Sequence, residues 1–158
     1  MFRGRSLAAV VVVSAAILGV GCRTGQTPEV RMLSEKEAAD FWNRAESREP
    51  AGQPSVRKIE SGTGTVVITT QAYMLRMPGG GGGGLVTVCG GGCQAGAGGP
   101  SGCQASGCEP AGNSCTPLVC SGNCTLSHAC KGEAWGFSSG GLFHALGVEE
   151  IETIAVSR

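Results

Sequence analysis

The stretch that decides the fold is residues 89–130, CGGGCQAGAGGPSGCQASGCEPAGNSCTPLVCSGNCTLSHAC. It carries eight cysteines and a single charged side chain, that of Glu109. From the end of the preceding glycine run to Cys130, the sizeable apolar side chains other than cysteine and alanine are Leu85, Val86, Val88, Leu118, Val119 and Leu126. Ordering one residue costs about 1–2 kcal/mol, and six such side chains cannot offset that cost. The stretch therefore needs cross-links or a metal, or else stays disordered.

Disulfide bonds are the first interpretation of these cysteines. An even set in a chain with a poor core predicts a framework of up to four bridges. The candidates are Cys89, Cys93, Cys103, Cys108, Cys115, Cys120, Cys124 and Cys130. The spacing does not fix which cysteine pairs with which, although intervening prolines and glycines supply turns that favour pairing of cysteines near in sequence.

Two other uses of the cysteines stay open. Cys120, Cys124, His128 and Cys130 place three thiols and an imidazole within eleven residues, a ligand set that suits tetrahedral zinc. The alternative function is then a metal-binding envelope protein. A second alternative is the precursor of a modified cysteine-rich peptide.

The first 21 residues have the parts of an export signal. Arg3 and Arg5 precede an apolar run from Leu7 to Val20, and small residues follow. This run is shorter than the roughly 20 residues that span a bilayer as a permanent helix, so cleavage is favoured. The mature chain is predicted to be extracytoplasmic, where disulfides persist.

Residues Leu18-Gly19-Val20-Gly21-Cys22 resemble the lipobox of bacterial lipoproteins. The resemblance, which covers the leader alone, implies that Cys22 is lipidated and becomes the first mature residue, anchoring the chain to a membrane. Because Arg23 rather than aspartate follows, it also implies the outer membrane. An ordinary cleaved leader and an uncleaved anchor remain the alternatives.

Three segments follow from composition: a signal peptide (1–21), a charged tether (22–60), and a small domain (61–158) that contains a Gly/Cys-rich segment (79–130). Within the tether, Ser34 and Glu37 form a capping-box pattern that predicts a short helix over 35–46. Its apolar stripe is expected to dock on the domain.

The domain is predicted to hold a few short strands. Residues 65–70 are β-branched and 73–75 continue or return, whereas the glycines at 79–84 end the strand before a second one at 85–88. After Cys130 the sequence predicts a helix from 138 or 139 to 147 and a strand at 150–156, packed on residues 66–75. The predicted fold class is a small, irregular, disulfide-rich α+β protein with one N-terminal helix, short antiparallel strands and a large disordered fraction.

No catalytic or cofactor site is predicted. Residues 136–140 spell G-x-S-x-G, but no buried strand precedes Ser138 and the chain is too short for an α/β-hydrolase sheet. A formal net charge of +0 also disfavours nucleic acid as a partner. The predicted function is that of a non-enzymatic, cysteine-rich, lipid-anchored envelope protein with a structural or binding role, and the sequence identifies no protein partner.

Overall fold

A computed structural model describes residues 30–99 and 101–137. Strands account for 65% of these residues, and one helix is present among them. In chain order the elements are β1 (Val30–Leu33), α1 (Glu35–Arg44), β2 (Ser47–Pro50), β3 (Ser55–Ser61), β4 (Gly64–Arg76), β5 (Gly82–Ala95), β6 (Cys103–Gly107), β7 (Pro110–Ala111), β8 (Ser114–Cys115), β9 (Leu118–Gly122) and β10 (Cys124–Phe137).

The long strands form one antiparallel sheet. Its order is β1-β10-β5-β4-β2. Strand β3 pairs with residues 64–70 of β4 and β2 with residues 73–76, so the two occupy different parts of the same edge. Strand β4 has 13 residues, and β5 and β10 have 14 each, so these three make the body of the sheet. Two small sheets, β6 with β9 and β7 with β8, belong to the cysteine-rich segment.

Side-chain alternation gives the sheet two faces. In β4 the odd-numbered residues from Thr65 to Leu75 are all buried, whereas Val66 and Arg76 on the other face are exposed. Helix α1 and the cysteine-rich segment both pack against the odd-numbered face, which we call the inner face. The opposite, outer face holds a separate buried cluster of Ala72, Val86, Trp135 and Phe137.

Helix α1 begins as its capping box predicts. The Glu37 backbone N–H donates to Ser34 Oγ, and Glu37 Oε2 accepts from the Ser34 backbone N–H at 2.9 Å. The Ser34 backbone N–H and the Ser34 hydroxyl both donate to Glu37 Oε2, and together with Arg31 they lower the pKa of Glu37 to about 2. The helix ends at Arg44, two residues earlier than the predicted end.

The predicted α+β class is wrong, because the described chain is mostly β. Two strands are also longer than predicted: residues 65–75 lie in one continuous strand, and the predicted strand at 85–88 extends to Gly82–Ala95. The length of β5 has a physical cause. A central strand receives backbone hydrogen bonds from both neighbours, and that pairing holds glycine in extended backbone despite its entropic cost. Most of the described Gly/Cys-rich segment is therefore β-strand, with turns between the strands.

Three strands come from the segment that composition assigns to the tether. β1 pairs with β10 and β2 with β4, and β3 runs along β4 from Ser55 to Ser61. Among the described residues, no helix is both long enough and apolar enough to cross a membrane. The leader, Cys22, Ser138 and the elements predicted beyond it lie outside the described residues.

Candidate functional site: a disulfide-bonded lobe behind a glycine-floored groove

All eight candidate cysteines are paired in disulfides. The bridges are Cys89–Cys115, Cys93–Cys120, Cys103–Cys124 and Cys108–Cys130. Each spans 21 to 27 residues, so no cysteine pairs with its neighbour in sequence, unlike the pairing that the turns favour. Multiple disulfides of this kind are typical of extracytoplasmic, cysteine-rich proteins, as the sequence predicts.

All four bridges fasten the cysteine-rich lobe, residues 96–123, to the sheet, two of them through β5 and two through β10. Cys89 and Cys93 lie on β5 with their side chains buried, and each is bonded to a cysteine of the lobe. The Thr69 hydroxyl of β4 donates to the backbone carbonyl of Cys108. Leu118 packs beside these sulfurs. The lobe therefore docks through sulfur and one aliphatic side chain where a larger domain would use a layer of hydrophobic residues.

Gly112, at the turn between β7 and β8, joins the lobe to the helix and the sheet. Its N–H donates to Tyr73 Oη at 3.1 Å, and its carbonyl accepts from Thr87 Oγ1 at 2.6 Å. The Trp42 ring lies directly on its Cα, so a Cβ there would come within 2.8 Å of the ring. With φ at +69°, only glycine fits this position without strain.

The predicted zinc set is divided among three bridges. Cys120, Cys124 and Cys130 are bonded to Cys93, Cys103 and Cys108 respectively. The imidazole of His128 is exposed and contacts the Ser127 hydroxyl at 3.2 Å.

A different trio of sulfurs lies close together. In the part of the chain that the structure describes, the one group of metal-ligand type is Cys89, Cys115 and Cys130, with sulfurs within 4.8 Å of one another. All three are disulfide sulfurs, whereas the metal ligand is the thiolate.

The outer face of the same strands carries a groove of about 590 Å³. Its lining residues are Val66, Ile68, Gly90, Gly91, Gly92, Ser127, His128, Ala129 and Lys131. The strand register places Ile68 opposite Gly90 and Val66 opposite Gly92, so two aliphatic side chains stand beside bare backbone. Val66, the third residue of β4, is 43% exposed.

Glycines make the floor of this groove. A Cβ on Gly90 would meet no atom within 4 Å, so its side-chain space is open groove. Gly91 faces the lobe instead, where a Cβ would approach Leu118 to 2.9 Å. Alternate glycines of β5 thus serve opposite purposes, an open floor on one face and close docking on the other.

The far wall of the groove is irregular. Strand β10 shifts register against β5 between Leu126 and His128 and again between His128 and Lys131. Such β-bulges re-aim side chains and are frequent beside functional sites. The wall contributes an imidazole and an ammonium group, and no acidic residue is among the described residues that line the groove. The site can accommodate an apolar group with an anionic end.

The sequence indicated the disulfide cysteines but not the groove. The available signal was Gly90-Gly91-Gly92 inside a run of strand residues, because glycine within a strand marks a bulge or a close approach of backbone. The exposure of Val66 had no such signal, since a β-branched run is equally typical of a buried strand.

No protein-family model, curated protein or solved structure matches this chain.

Proposed function

We propose that this chain is a non-enzymatic, extracytoplasmic binding protein, anchored by a lipid on Cys22, whose binding site is the outer-face groove. The observation that carries the proposal is that the two faces of β5 have different surroundings. One side of the strand is bridged to a lobe by Cys89 and Cys93, and the other side leaves Gly90 open beneath Val66 and Ile68. A covalently braced sheet with an unfilled apolar depression is suited to holding a ligand rather than transforming one.

The chemistry of the lining defines the ligand class. Val66 and Ile68 favour an apolar body, and Lys131 with His128 favours a negative charge at one end. We therefore assign the groove to small apolar anions. A non-enzymatic role is supported by the groove's side chains, since the Ser127 hydroxyl contacts an exposed imidazole with no described carboxylate to orient that ring.

Binding is tested with anilinonaphthalene sulfonate, an apolar dye with one negative charge, and the folded, oxidised protein. We expect saturable fluorescence enhancement that is lost in Gly90→Leu, which fills the floor without straining the backbone. The matched control is Gly62→Leu, in a hairpin turn where a Cβ also meets no atom within 4 Å. Equal dye binding by the two variants would contradict the assignment.

Anchoring is tested separately with Cys22→Ser in the full chain. We expect the unsubstituted protein to fractionate with membranes and to incorporate labelled fatty acid, and the variant to do neither. Fatty-acid label that is absent from the unsubstituted protein, or that persists in the variant, would remove the lipid on Cys22 from the proposal and leave the groove unaffected.

A further inference from the structure

Two of the four disulfides lie against each other. Cys89 is bonded to Cys115 and Cys108 to Cys130, and the Cys130 sulfur lies within 4.8 Å of both sulfurs of the first bridge. Thiol–disulfide exchange requires a thiolate to reach a disulfide sulfur. Modest side-chain rotation would bring Cys130 into contact with Cys115 once its own bridge is open.

Solvent reaches this pair of bridges from one side. Cys89 and Cys108 have 0% of their surface exposed. Cys115 and Cys130 are half-buried and line an open cavity of about 370 Å³, together with Ser114 and other residues between the lobe and α1. A small dithiol can therefore approach the outer sulfur of each bridge and not the inner one.

Cys130 is the cysteine from which exchange can start. It is half-buried at this cavity, so a dithiol can reach it. Its sulfur also lies within 4.8 Å of both sulfurs of the Cys89–Cys115 bridge, so its thiolate, the attacking species in exchange, has that bridge within reach.

We propose that these two bridges form a redox-responsive exchange site that converts to a Cys115–Cys130 disulfide with two buried thiols. A small-molecule or protein dithiol attacks Cys130, releasing the Cys108 thiolate, which takes up a proton. The second thiol of the reductant then attacks the mixed disulfide, leaving as an oxidised disulfide and freeing Cys130. Two electrons have passed from the dithiol to the protein.

The second stage is an internal exchange with no net redox change. The Cys130 thiolate attacks the Cys115 sulfur, the Cys115–Cys130 bond forms, and the Cys89–Cys115 bond breaks. The Cys89 thiolate leaves and is protonated. Its surroundings keep it as a neutral thiol, because Cys89 lies in an apolar cluster with Val67 and Leu118, where a thiol packs as a small hydrophobe and its thiolate is disfavoured.

The other two bridges provide an internal control. In the described residues, which include all eight of these cysteines, no third cysteine sulfur lies within 4.8 Å of both sulfurs of Cys93–Cys120 or of Cys103–Cys124. Among the described residues, a free thiol generated at either of these bridges therefore does not lie within 4.8 Å of both sulfurs of another bridge.

The test is Cys108→Ala in the full chain, compared with Cys103→Ala. Each variant leaves one unpaired partner, Cys130 or Cys124. Free thiols are alkylated under acid-quenched conditions, the remaining disulfides are reduced and labelled with a second reagent, and the sites are mapped by tandem mass spectrometry. We expect most of the first label on Cys89 in Cys108→Ala, and on Cys124 in Cys103→Ala. First label confined to Cys130 in Cys108→Ala would overturn the proposal.

A second measurement uses the unsubstituted protein and does not depend on how the variant folds. Limiting dithiothreitol is added, and the species that has gained two thiols is isolated and mapped. The proposal predicts thiols at Cys89 and Cys108 together. Thiols at Cys108 and Cys130, persisting as the reaction proceeds, would overturn it.

Discussion

The two ends of the inner sheet face are covered in different ways. At one end α1 packs on the sheet, and the cluster consists of ordinary side chains that include Ala38, Tyr73 and Leu85. At the other end the lobe packs on the same strands, and three of the five buried residues are cysteines, the other two being Val67 and Leu118.

The difference follows from the side chains that are available to cover each end of the inner face. The helix segment offers an apolar stripe, so burial holds it. The lobe has few bulky residues and many glycines, and covalent bridges limit the freedom of its unfolded state instead. One sheet thus carries a hydrophobic interface and a disulfide-bonded interface side by side.

The largest expected effect is at the helix end. Leu85 has 0% of its surface exposed, and Leu85→Ala should lower the free energy of unfolding by about 2–5 kcal/mol through lost burial and a cavity. Urea unfolding measures it. Val56→Ala, at a side chain 59% exposed, is the control and should change the free energy by less than about 0.5 kcal/mol. Equal losses would mean that this cluster is not the core.

The matching change at the lobe end removes one bridge. The double variant Cys93→Ala/Cys120→Ala should lose about 2–4 kcal/mol, because the 27-residue separation leaves a long unconstrained loop in the unfolded chain. Differential scanning calorimetry of the oxidised protein measures the loss. The same measurement in reductant separates cross-linking from packing. The stability of the unsubstituted protein should then fall to that of the variant or below it. A variant that is still the less stable of the two in reductant would point to packing rather than cross-linking.

A smaller effect is expected where the lobe meets β10. A Cβ on Gly132 would lie 2.6 Å from the Cys115 sulfur, which the bridge to Cys89 holds in place. Gly132→Ala should therefore cost about 1–3 kcal/mol by overpacking. Gly90→Ala, on the same sheet with open space at its Cβ, is the control in thermal unfolding. A neutral Gly132→Ala would show that the bridge can shift.

The smallest effect concerns the helix cap. The pKa of Glu37 in the folded protein is about 2, below its ordinary value of 4.5. Its contribution is therefore present above pH 4.5 and disappears as the pH falls towards 2. Glu37→Gln should be slightly less stable than the unsubstituted protein at pH 6, and the difference should vanish near pH 2. A difference that is constant over this range would rule out the carboxylate as its source.

The sequence predicted the parts of the fold that depend on local chemistry. The capping box at Ser34 and Glu37 and the β-branched run at 65–70 correctly predicted a helix start and a strand, since each rests on neighbouring residues. The number of cysteines likewise predicted up to four bridges, and four are present. The length of β5 was missed, because glycine has no strand propensity and its extended backbone is imposed by β4 and β10.

Which cysteines pair, and the groove itself, required the register of three strands. Cys89 meets Cys115, and Gly90 lies open, only because β5 places alternate residues on opposite faces of one sheet. Composition alone does not determine that register.

The central claim is that covalent bridges hold the lobe whereas burial holds the helix end. Hydrogen exchange by mass spectrometry on the full chain, oxidised and then fully reduced and alkylated, tests it most directly. The account predicts that reduction abolishes amide protection in β6 and β9 while the paired segments around Leu75 and Leu85 stay protected. Persistent protection of β6 and β9 without any disulfide would contradict it.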